Sequence, residues 1–80
     1  MNIMSKPIGE VVRIRRDLNV GTLYCMKGEA FDYNIATQSM VECRGKVAKI
    51  IGKSWTGQYY LDIGGKLGWT DEMFEKVNVE

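Results

Sequence analysis

The chain has 80 residues, a net charge of +1 from 11 basic and 10 acidic side chains, and no histidine. That length makes one domain, which buries only about 60% of its unfolded surface; the even charge speaks against a polybasic membrane anchor, a DNA-binding arm and an acidic mimic of nucleic acid. Without histidine the usual general base and the commonest metal ligand are missing, so no Ser-His-Asp or Cys-His site can be built, and the chain reads as a non-enzyme with no metal and no cofactor.

Residues 1–8 read as a flexible tail ahead of one domain over 9–80. The tail lacks the apolar core of a signal peptide, and no stretch approaches the roughly 20 apolar residues of a membrane span. Two cysteines, Cys25 and Cys43, are too few for a secreted disulfide framework and point to reduced thiols in the cytoplasm. Glu10 to Arg16 alternates as a strand does, with Val12 and Ile14 on one face and Val11, Arg13 and Arg15 on the other. The simpler reading of Arg13, Arg15 and Arg16 is a solvated strand edge, where charge discourages aggregation. Residues 17–21 are turn-forming, after which Leu23 and Tyr24 are expected to return to the core.

Residues 25–36 read as a long excursion or loose hairpin, where Gly28, Asp32 and Asn34 interrupt a weak alternation of Phe31, Tyr33 and Ile35. Long loops in small domains are often functional. A turn or two of helix is expected over 37–44, with Thr37 as its cap, Ala36, Met40 and Cys43 on a buried face, and Gly45 in the left-handed position that ends a helix. Lys46 to Ile51 reads as a strand with Ala48 and Ile50 inward, and 52–57 as a connector. Gln58 to Ile63 is the clearest strand, with Tyr59, Leu61 and Ile63 on one face and Tyr60 and Asp62 on the other. Gly64-Gly65-Lys66 is a hairpin turn. Residues 67–70 then pair back, 71–74 make a 3₁₀ turn, and 75–79 form a last strand. The expected core is Val12, Ile14, Ile50, Tyr59, Leu61, Ile63, Trp69 and Phe74. About five short strands joined by tight turns make a mainly β protein, most simply a small five-stranded barrel.

Few motifs carry chemistry. Gly52 and Gly57 have the spacing of P-loop glycines, but Gln58-Tyr59 follows where lysine and a hydroxyl are needed. Asp71, Glu72 and Glu75 form an acidic cluster of the kind that pairs carboxylates or holds a divalent cation; more simply, acids favour the positive start of a helical turn. Trp55 in a loop between strands, with Tyr33 and Tyr60, is the kind of exposed aromatic that anchors a protein partner. With Arg13 and Arg15 nearby, the same aromatics would suit stacking on nucleic-acid bases.

The run Gly68-Trp69-Thr70-Asp71-Glu72-Met73-Phe74 resembles the end of SH3-like barrels, where a Gly-Trp strand enters a one-turn 3₁₀ helix before the last strand. With the segment from Val12 to Leu18, then Gly21 and Tyr24, Met40 and Arg44-Gly45-Lys46, the chain from Val11 to Glu75 is similar to a group of small phage and prophage proteins of Firmicutes and related gut bacteria. The resemblance implies an SH3-like barrel and a phage or prophage origin, and brings no biochemical activity with it. Asp71 and Glu72 stand where eukaryotic SH3 domains have a proline, and their Ala-Leu-Tyr-Asp-Tyr opening is missing, so proline-rich peptides are not the expected ligand. The expectation is a binding module, monomer or homodimer, that engages a host bacterial protein such as a defence or regulatory factor in the host cytoplasm. Its expected contact residues are Tyr33, Trp55, Tyr60, Arg13, Arg15, Phe31 and Asp32. An alternative is a nucleic-acid-binding barrel with a basic surface of Arg13, Arg15, Arg16, Lys46, Lys49 and Lys53. A third reading is a virion accessory or oligomer-forming role.

Overall fold

The computed structural model describes residues 6–26 and 32–75. The expectations for residues 1–5, for Phe31 and for a strand beyond Glu75 fall outside them. The fold is mainly β, with strands β1 (Val11–Arg13), β2 (Leu23–Cys25), β3 (Tyr33–Ile35), β4 (Val47–Lys53) and β5 (Tyr59–Leu61), a four-residue helix α1 (Gln38–Val41) and a 3₁₀ turn (Asp71–Met73). The strands make two small antiparallel sheets, one of β1, β4 and β5 in the order β1-β4-β5, the other of β2 and β3.

The larger sheet follows from alternation. Val12 pairs with Ala48, and both side chains turn to the buried face with Ile14 and Ile50. Val11, Arg13, Val47, Lys49 and Ile51 turn outward. Gly9, at φ +101°, makes a bulge ahead of β1. Its N–H donates to the Ile50 carbonyl, and the Ile50 N–H donates to the Glu10 carbonyl, so two residues face one and only glycine sits comfortably at the first. Further back, the Lys6 N–H donates to the Tyr59 hydroxyl at 2.9 Å.

Three segments differ from the sequence reading. Gly52 and Lys53 belong to β4, not to a connector: the register slips between Ile50 and Gly52, and the strand then continues with Gly52 opposite Tyr60 and Lys53 opposite Tyr59. Of the two readings of the stretch 25–36, a long excursion or a loose hairpin, the described residues form the hairpin, and its pairing reaches back to Leu23: Leu23 lies opposite Ile35, Tyr24 opposite Asn34 and Cys25 opposite Tyr33. Because neighbouring strand residues face opposite ways, burying Tyr24 puts Leu23 outside, where it is 47% exposed instead of in the core. The helix is shorter than 37–44. Thr37 Oγ1 accepts the Met40 N–H at 3.3 Å as its cap, helical structure ends at Val41, and a turn runs to Gly45 at φ +80°. Ala36, Met40 and Cys43 are buried.

The chain from 69 to 75 meets both edges of the larger sheet. Trp69 and Tyr59 exchange backbone hydrogen bonds of 2.8 and 2.9 Å on the β5 side. After the 3₁₀ turn, Phe74 bridges to Ile14, the Arg15 N–H donates to the Met73 carbonyl at 2.9 Å, and the Glu75 N–H donates to the Arg13 carbonyl at 2.8 Å on the β1 side. Beneath it lie the fully buried Trp69, Tyr59, Ile14, Met40, Ile50, Leu61 and Met73. The Phe74 ring sits 5.8 Å from that of Tyr59 and 6.5 Å from that of Trp69. Val12 and Phe74 are also buried, whereas Ile63 is only partly so, at the margin where the chain leaves β5. Among the described residues, no helix is long and apolar enough to cross a membrane.

A candidate partner-binding surface

The turn after β4 is built to hold its tip out. The Gly57 N–H donates to the Ser54 carbonyl and the Ser54 N–H to the Gln58 carbonyl, while Ser54 Oγ accepts the Gln58 N–H at 3.1 Å and lies 2.9 Å from Thr56 Oγ1. Gly57 supplies the positive φ, +99°, that closes the turn. Polar groups of the turn bond to one another, and Trp55 is left 97% exposed at its tip.

This turn is tied to the start of β3. Gln58 Nε2 donates to Asp32 Oδ2 at 2.8 Å and to the Tyr33 carbonyl at 3.1 Å. Asp32 Oδ1 accepts the Tyr33 N–H at 2.9 Å. Hydrogen bonds from Thr56, from the Tyr33 N–H and from Gln58 hold the Asp32 carboxyl below the usual carboxylate range. Asp32 is therefore an ionised brace between two loops. Tyr33, 55% exposed, is the first residue of β3, beside the turn that bears Trp55. A second brace runs from Asn34 Nδ2 to the Gly68 carbonyl at 2.8 Å.

The other expected contact residues are placed elsewhere. Tyr60 is half-buried on the outer face of the larger sheet, against Gly52. Arg13 Nη1 donates to the Gly45 carbonyl at 2.8 Å, and its Nε lies 4.0 Å from Glu75. Arg15 forms a two-pronged pair with Asp17 at 2.8 and 2.9 Å, donates to the Glu72 carbonyl at 3.1 Å, and sits 5.4 Å from the Tyr24 ring centroid. Arg16 pairs with Glu75 at 2.8 Å. These pairings raise the pKa values of Arg15 and Arg16 and lower those of Asp17 and Glu75. The arginines are thus drawn to the segment 72–75 and its surroundings, not to Trp55.

The three acids of the closing segment reach three different elements. Asp71, buried, accepts the Tyr59 hydroxyl at 2.9 Å. Glu72 Oε1 accepts the Cys25 N–H at 2.9 Å, which ties the small hairpin to the 3₁₀ turn. Glu75 turns to the arginines. No three metal-ligating side chains gather among the described residues.

Sequence reasoning passed over two features. Gln58 gives no signal of its own, because its role depends on β3 lying across from it. The outer face of the β2–β3 hairpin was readable only once the register was known: Leu23 and Ile35 pair there, as do Cys25 and Tyr33, with Leu23, Ile35 and Tyr33 exposed and Cys25 half-buried. Comparison of the chain with protein-family models, with curated proteins and with solved structures finds no match.

Proposed function

We propose that the protein is a non-enzymatic binding module on an SH3-like barrel, of phage or prophage origin, that engages a host bacterial protein, such as a defence or regulatory factor, in the bacterial cytoplasm. The barrel reading is supported by the segment 69–75, which bridges β5 to β1 through a 3₁₀ turn. The origin rests on the resemblance of that same run. The observation that carries the function is Trp55. A side chain of this size offers about 150–250 Å² of surface for burial, folding leaves it 97% exposed at the tip of the turn, and a partner that covers it would gain that burial. Tyr33 at the start of the neighbouring β3 widens the contact.

Nucleic-acid binding draws less support, because Arg13, Arg15 and Arg16 already hold acceptors within the domain and phosphate would have to compete with Asp17 and Glu75. The test is affinity capture from host lysate with the wild type and with the Trp55→Ala, Tyr33→Ala double variant. The expected outcome is a protein recovered by the wild type and lost with the variant; equal recovery of every captured protein by both would overturn the assignment of this surface.

A further inference from the structure

We infer that Gln58 is a positioning residue for the contact surface: it joins the turn that bears Trp55 to the start of β3, so that Trp55 and Tyr33 are presented as one preformed unit. The inference rests on the reading of those two side chains as the contact, and it names the residue that sets their geometry. Gln58 acts at both of its ends. Its main chain closes the base of the turn, where its carbonyl accepts the Ser54 N–H at 2.8 Å and its N–H donates to Ser54 Oγ at 3.1 Å. Its side chain leaves the turn for the other sheet, where Nε2 donates to Asp32 Oδ2 at 2.8 Å and to the Tyr33 carbonyl at 3.1 Å. Asp32 Oδ1 in turn holds the Tyr33 N–H at 2.9 Å. Thr56, the neighbour of Trp55, also hydrogen-bonds the Asp32 carboxyl. The brace thus holds both backbone polar groups of Tyr33 on one side and the residues flanking Trp55 on the other.

Two observations separate positioning from plain support of the fold. The brace lies outside the core: Gln58, Asp32 and Ser54 are half-buried, Thr56 is exposed, and none of them belongs to the buried cluster. Room for it is also kept at a third point. A Cβ on Gly68 would collide with Gln58 Oε1, and the Gly68 carbonyl accepts Asn34 Nδ2 of β3 at 2.8 Å. The amide of Gln58 is therefore set with Oε1 at Gly68 and Nε2 at β3. Such an arrangement bears on binding because the ordering is done during folding. A partner that meets two aromatic side chains already in place does not have to fix them. A turn that held its bound arrangement only about a tenth of the time would bind about 10-fold more weakly.

Backbone amide relaxation and residual dipolar couplings of the full chain, measured by NMR, test this without a partner. In the wild type, amides 54–57 should show order parameters near ~0.85, as rigid backbone does, and couplings that fit the same alignment as those of β3. Gln58→Ala removes the brace, and Gln58→Glu, which keeps the shape, sets a second carboxylate against that of Asp32. In both, the order parameters at 54–57 should fall below about 0.6 and their couplings should leave the common fit, while β1 and β4 keep theirs. The double variant Asp32→Asn, Gln58→Glu exchanges donor and acceptor at the same place. The introduced amide donates to the introduced carboxylate, and about half of the lost order should return. An unchanged turn in Gln58→Ala would overturn the inference. So would a loss of order spread over the whole domain, or a double variant no better ordered than Gln58→Glu alone. Host-lysate capture that ignores Trp55 and Tyr33 would remove the contact assignment without altering these order parameters, so the two failures are told apart.

Discussion

At the scale of single residues, Gly68 shows how closely the loops are fitted. A Cβ there would collide with Gln58 Oε1 and lie 3.2 Å from Gln58 Cδ and 3.5 Å from Asn34 Nδ2. The amide of Gln58 is a flexible tip, but it cannot swing away without releasing Asp32 and the Tyr33 carbonyl. Gly68→Ala should therefore destabilise by about 1–2 kcal/mol, the worth of one or two hydrogen bonds. In a Gln58→Ala background the same change should cost less than about 0.5 kcal/mol, since the obstacle is gone. Urea denaturation of the four proteins measures the coupling; additive losses would show that something other than Gln58 opposes the methyl group. The sequence shows a glycine before a tryptophan at this point. It does not show why, because the reason lies ten positions back in the chain.

At the scale of elements, the closing segment is fastened by ion pairs as well as by its backbone. Glu75 joins Arg13 at the end of β1 and Arg16 in the turn beyond it, and Asp17 joins Arg15. The hydrogen bond from Arg16 is the main cause holding Glu75 below its ordinary value of 4.5, and that from Arg15 the main cause holding Asp17 below 3.8. A carboxylate depressed in the folded state adds stability above its unfolded pKa and loses it as the pH falls through the folded value. The melting temperature should thus be level above about pH 5 as far as these groups matter and should decline below it. The effect is small because the partners are exposed. Glu75→Gln should melt lower than the wild type at neutral pH, respond less to acid, and converge with it near pH ~2. Parallel acid-induced curves for the two proteins would exclude the pairing. Strands β1, β4 and β5 could be read from the sequence because one of their faces is buried and period-2 alternation records it. The hairpin could not be read as clearly: Leu23 and Ile35 are apolar on its outer face, so the pattern there does not distinguish inside from outside, and Gly52 looks like a break until its pairing with Tyr60 across the register slip is seen.

At the scale of the molecule, the two tryptophans report on opposite roles. Trp69 is wholly buried against Phe74, and Trp55 is 97% exposed. Trp55→Phe should leave a blue-shifted emission that resists a soluble quencher, with the free energy of unfolding within about 0.5 kcal/mol of the wild type, as for other surface changes. A quenchable, red-shifted residual emission would place Trp69 in water and contradict the packing. The exposure of Trp55 was legible from its position between two strands. The fate of the arginines was not, since their partners at Gly45, Glu72 and Glu75 come near them only through the fold.

The segment that bridges β5 to β1 also sets the order of events in folding. Arg16 and Glu75 stand 59 positions apart, and the pairing of Ile14 with Phe74 spans nearly the whole described chain. Contacts of such long range repay the entropy of closing the chain only after most of it is ordered. The three-stranded sheet can begin to form from the local hairpin of β4 and β5, and Trp69 can reach Tyr59 locally, but the free edge of β1 waits for the last joining. Until then, Ile14 is without the Phe74 that later pairs with it. Slow folding for a chain of this size is therefore the expectation, and the sheet that still lacks its clasp is the form with most to lose from the delay.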